Sequence, residues 1–144
     1  MYGLSPRLLS TSVNAGKLRD ARILLYSRCI EEEHPEILRE LRDGRVALSV
    51  CLTEEHINDV GFKLSTILMM ARPREISVLT MDGSPHCIQL HFAAQQSRRL
   101  TGAEIEIHHY VIEKGKVYEV DGATIRTARH LSEVQKLRSL TKTL

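Results

Sequence analysis

From residue 21 onward the chain alternates short apolar runs with amphipathic stretches, and this alternation restricts the fold more than any other feature. Strands separated by helices pair in parallel, because each helix carries the chain back across the sheet before the next strand begins. Residues 21–29 (ARILLYSRC) and 45–51 (RVALSVC) are apolar runs bounded by charge, as expected of strands buried on both faces. Between them Pro35 stands at a first helical position. Ile37, Leu38 and Leu41 then form one stripe before Gly44 stops the helix. Thr53 is the expected N-cap of the next helix, with Glu54 and Glu55 in its first turn. Ile57, Val60, Leu64, Ile67 and Leu68 continue that helix until Arg72-Pro73 ends it.

A third strand is expected over residues 75–80, followed by a turn at Met81-Asp82-Gly83. Ser84-Pro85 supplies a capping hydroxyl and a proline at the first helical position, and Gly102 ends that helix. Residues 104–112 alternate as a strand, 113–116 form a hairpin loop, and 117–120 return. Residues 126–140 read as one terminal helix. The order is β-α-β-α-β-α-β-β-α. It specifies a small three-layer, doubly wound α/β fold, whose mostly parallel sheet carries an antiparallel C-terminal hairpin and a terminal helix. A length of 144 residues suits one core, here assigned to residues 21–144. Residues 1–20 are expected to be an arm, loosely ordered or docked on the body.

Composition narrows the function only by exclusion. No apolar run approaches a membrane span, and the first twenty residues lack the pattern of a signal peptide. Three cysteines without a CxxC argue against a disulfide framework or a four-cysteine zinc module, and they suit a reducing, cytoplasmic compartment. Residues 1–29 and 122–144 each carry a net charge of +4, whereas residues 30–121 carry −6. Basic ends around an acidic middle suggest contacts within the chain, with another copy in a homo-oligomer, or with a partner subunit. The ends lack the interleaved aromatics of a nucleic-acid binder.

In doubly wound sheets ligands bind beyond the carboxyl ends of the strands, where the winding reverses. Every cysteine falls there. Cys29 follows the first strand, Cys51 the second and Cys87 the third, one thiol at each βα turn. Cys87 lies in the first turn of a helix, where the macrodipole is expected to lower a thiol pKa, and His91 four residues on shares its helical face. Cys87 as nucleophile or redox thiol with His91 as its base is therefore one candidate pair. Cys29, Cys51 and Cys87, with His86 as a fourth donor, are candidate ligands for zinc or a [4Fe–4S] cluster. Such a site would make the protein a cysteine-centred redox or metal-binding component, such as one subunit of an oxidoreductase system.

The alternative is a non-catalytic module that binds an anion or nucleotide. Gly83, Ser84 and Pro85 open a helix N-terminus whose free amides suit a phosphate, with Arg28 nearby to pair with it. Other chemistries fail on residue type. A phosphatase loop needs Arg six residues after its cysteine, but positions 35, 57 and 93 hold Pro, Ile and Ala. No GxGxxG or GxxxxGK[ST] occurs. A receiver domain finds mimics in Glu31, Glu32 and Asp82, but the hairpin displaces the lysine-bearing strand it requires.

Overall fold

In the computed structural model, which describes residues 5–142, the strands are β1 (Arg22–Ser27), β2 (Val46–Val50), β3 (Glu75–Met81), β4 (Glu106–Glu113) and β5 (Lys116–Val120). The helices are α1 (Ile30–Glu33), α2 (Pro35–Arg42), α3 (Ile57–Met70), α4 (Ile88–Thr101), α5 (Gly122–Ala128) and α6 (Leu131–Leu140). The sheet order is β2-β1-β3-β4-β5, with β1 to β4 parallel and β5 antiparallel to β4. The winding reverses between β1 and β3. From β1 the chain moves outward to β2, then returns across β1 and continues outward through β3 to β5.

Each central strand is apolar on both faces because both faces are covered. Ile23 and Leu25 of β1, Leu48 and Val50 of β2, and Ile76 and Val78 of β3 pack on α3 and α4 through Val60, Leu64, Ile67, Leu90 and Ala94. The alternate residues Leu24, Tyr26, Ala47 and Leu79 pack on Ile30 and Leu38 from α1 and α2. Two layers of helix around one sheet follow from this alternation. Residues 5–20 add to the first layer. Leu8 and Leu18 are fully buried in it. Ser49 N–H donates to Pro6 O and Leu8 N–H to Ser49 O, both at 2.9 Å, so this segment lies along the outer edge of β2.

Three local expectations are corrected. Thr53 is not an N-cap, since α3 begins at Ile57 and His56 caps it, its Nδ1 accepting Asn58 N–H at 3.0 Å. Residues 51–55 close a turn of their own instead. Cys51 O accepts from Glu54 and Glu55 N–H, and the Glu55 carboxylate accepts Cys51 N–H at 2.6 Å. The regular helix after β3 starts at Ile88, one turn later than expected, although Ser84 Oγ still accepts Cys87 N–H at 3.2 Å. The terminal helix is two helices. Asp121 caps α5 through Thr124 N–H, and the chain breaks at His130, whose φ of −108° and ψ of 91° are extended.

Gly102 ends α4 in the left-handed conformation at φ 68°, with its N–H bonded to Arg98 O at 2.9 Å. A Cβ there meets no atom within 4 Å, so its cost is conformational only. Gly102→Ala is expected to destabilise the fold by about 1 kcal/mol, read from the denaturant midpoint at unchanged slope. An unchanged midpoint would show that the cap does not hold this end of the helix.

Candidate functional site

The turns after β1, β2 and β3 meet at the reversal point and enclose a crevice of about 150 Å³. Ser27, Arg28 and Cys29 line it from the first turn, Cys51, Leu52 and Thr53 from the second, and Ser84, His86 and Cys87 from the third. All four candidate ligands therefore border one space. Ser27 O–H donates to Cys87 Sγ at 3.1 Å. Cys29 is exposed at the surface, yet desolvation by the turns around it, with the neighbouring Cys87 and Glu33, raises its thiol pKa.

The sulfurs share the crevice without closing on a single point. Among the described residues, the one set of three or more metal-ligating side chains with donor atoms within 4.8 Å of one another is Glu75, Glu106 and His108. That set lies at the amino ends of β3 and β4, at the opposite end of the sheet from the thiols. Burial raises the Glu75 carboxyl pKa, but Arg22 at 2.8 Å, helped by His108 and by Arg45 at 3.8 Å, outweighs it and leaves the group lowered. The set is an ion-pair network, with two guanidinium groups competing for the would-be ligand.

The pairing of Cys87 with His91 is not formed. His91 is 1% exposed, and both its ring nitrogens are engaged elsewhere. Nε2 lies 2.8 Å from Thr80 Oγ1, and Nδ1 lies 2.9 Å from Nδ1 of His109. A side chain with both nitrogens committed cannot also take the Cys87 proton. Burial, with the second ring beside it, lowers the His91 pKa to about 3, and burial beside Arg98 and His108 lowers that of His109 to about 4. Both rings are neutral at pH 7.

Arg28 is also committed. It donates to Glu54 at 2.9 Å and to Glu55 at 3.3 Å, tying the first turn to the second. Burial lowers the Arg28 pKa, but these two carboxylates outweigh it and strengthen the charge. The helix opening at Ser84 has fewer free amides than expected, because Cys87 N–H and Ile88 N–H are bonded to Ser84 Oγ and Ser84 O. Gly83, with φ 87°, borders a different and larger cavity of about 520 Å³, and Ser84 borders both. The anion site expected of Gly83, Ser84 and Arg28 thus lacks two of its amide donors, and of the Arg28 guanidinium only the buried Nε, which has no partner, stays uncommitted.

Sequence reasoning assigns no site role to Thr80, His109 or Glu55. The alternation of β4 does place His109 on the face of Ile107 and Val111, but only the register pairing Val78 with His109 carries it to α4. Glu55 reads as a first-turn helix charge and becomes, with its side chain 10% exposed, the acceptor that joins Arg28 to the Cys51 amide.

No curated protein and no solved structure gives a significant match to this chain. A family model described as a Rossmann-like domain matches residues 15–143, which takes in every strand and helix of the sheet and its two layers. The turn after β1, where dinucleotide-binding proteins of related topology carry a glycine-rich sequence, reads Ser27-Arg28-Cys29-Ile30. The chain belongs to the Rossmann-like domain family, with a thiol at the turn after each of its first three strands.

Proposed function

We propose that the crevice at the reversal point is a thiolate site for an iron–sulfur cluster, and that the protein is a redox or cluster-handling component on this basis. One observation carries this reading: Cys29, Cys51 and Cys87, each from a different βα turn, border a single space. Three thiolates with a fourth position open, or held by His86, are the donor set of a cluster with one exchangeable iron. A single zinc ion draws four donors into one tight tetrahedron. Sulfurs that do not all come within 4.8 Å of one another suit a wider centre better. A space of about 150 Å³ is also below the range of pockets that hold a nucleotide or flavin. Ser27, donating to Cys87 Sγ, would tune such a centre without ligating it.

The test is anaerobic reconstitution of the full chain with ferrous iron and sulfide, followed by iron analysis and visible absorption. A brown protein with stoichiometric iron is expected. Cys29→Ser, Cys51→Ser and Cys87→Ser should each lose the iron while keeping the far-ultraviolet circular dichroism of the parent. Ser27→Ala should retain the cluster with affinity weakened about tenfold. Colourless, iron-free protein, or cysteine variants that load as the parent does, would sink the proposal.

A further inference from the structure

The 520 Å³ cavity lies on the other side of the turn after β3, and its construction is unlike that of the thiol crevice. Val111, Val120, Ile125, Ala128 and Ile88 give it apolar walls drawn from β4, β5, α5 and α4. Thr80 and His91, each 1% exposed, also line it. They are the first two members of the hydrogen-bonded chain Thr80–His91–His109, in which His91 is the middle link.

Proton counting shows what that chain can present. Of two neutral rings joined Nδ1 to Nδ1, one must donate and the other accept. If His109 donates, His91 carries its proton on Nε2 and gives that bond to Thr80 Oγ1, which frees the threonine hydrogen for a guest. If His91 donates, its Nε2 accepts from Thr80, and the threonine offers lone pairs alone. The chain can therefore serve as donor or acceptor without gaining charge. The walls contain no Lys or Arg, and their sole carboxylate is the exposed Asp82. No side-chain cation there compensates a buried anionic guest, and burying an uncompensated charge is costly.

We propose that this cavity binds small neutral molecules, apolar over most of their surface, that carry one carbonyl or hydroxyl group directed at Thr80. A ketone oxygen can only accept, so it selects the arrangement in which His109 donates to His91 and His91 Nε2–H donates to Thr80. Ligand identity is thereby written into the tautomers of two histidines, which gives a readout specific to this cavity.

The probe is 2-octanone, titrated into the full chain labelled with 15N in histidine, with octanoate as the charged counterpart. The expected result is a saturable shift of the His91 and His109 ring nitrogens to the form with His91 protonated at Nε2 and His109 at Nδ1. Octanoate should bind at least about tenfold more weakly, since its charge has no partner there. Thr80→Val, which removes the hydroxyl, should weaken 2-octanone about tenfold. Ala128→Phe, which fills the space and leaves the chain of three intact, should abolish binding. Unmoved ring nitrogens, octanoate binding as tightly as the ketone, or Ala128→Phe binding it unchanged would each overturn the proposal. Iron loading of the same samples is independent of these outcomes, because none of the substituted residues borders the thiol crevice.

Discussion

Acidification below about pH 6.5 is expected to destabilise the protein at a slope approaching 1.4 kcal/mol per pH unit for each of His91 and His109. In the unfolded chain both imidazoles take protons near their ordinary value of 6.5, whereas folding lowers them to about 3 and about 4. The unfolded state thus binds more protons throughout the window between. The contribution is complete above pH 6.5, falls as the pH falls through the window, and stops falling below the folded values. By about pH 4.5 the loss is several kcal/mol, a large part of the stability of an ordinary domain. Denaturant unfolding at pH 7, 5.5 and 4.5 measures it.

The control is the triple variant Thr80→Val, His91→Leu, His109→Leu, which replaces the whole chain of polar groups with apolar ones of similar bulk. It should remain close to the parent at pH 7 and lose most of the dependence between pH 6.5 and 4.5. His109→Leu alone should cost about 1–3 kcal/mol at pH 7, because it leaves His91 Nδ1 buried without a partner. The Glu75 carboxylate, lowered by Arg22, loses its contribution only at more acidic pH and does not obscure the window. If the triple variant kept the parent's slope between pH 6.5 and 4.5, the histidine pair would not be its source.

Leu8→Ala is expected to cost about 2–5 kcal/mol, the loss of a fully buried leucine rather than of a residue in an arm. Leu8 is 0% exposed among the apolar residues of the α3–α4 layer, and its own N–H and the Pro6 carbonyl are bonded to Ser49. Its neighbour Leu9 is only partly buried, so Leu9→Ala should cost distinctly less. A matched pair of unfolding curves decides the point. A loss below about 1 kcal/mol for Leu8→Ala would mean that residues 5–9 detach without disturbing the core.

The alternation of apolar runs and helical stripes was enough to specify the three-layer architecture, because a strand covered on both faces has a distinct composition. RILLYS and EISVLTM have no polar face to expose. The sequence was less informative wherever a side chain competes with the backbone for partners. Glu55 folding back on the Cys51 amide delays α3 by one turn, and a helix dipole argument on Glu54 and Glu55 gives no sign of it. The position of each cysteine at a βα turn was legible from spacing, whereas the shared crevice depends on the order β2-β1-β3, a property of the whole sheet. The partner of His91 was out of reach for the same reason. Spacing of four along one helix pointed to Cys87, but the interstrand register supplied His109 instead.

Cys29, Cys51 and Cys87 stand 22 and 36 residues apart along the chain, and only the folded sheet gathers their turns. An unfolded chain holds the thiols but no crevice. Anything bound through all three together counts as free energy of folding, growing as RT ln(1 + [L]/Kd) with the free concentration of what is bound. Occupancy of the crevice should then raise the melting temperature, and a chelator should lower it again. The same linkage runs in reverse: a substitution in the core far from the thiols, such as Leu8→Ala, weakens apparent binding at the crevice once it populates the unfolded chain.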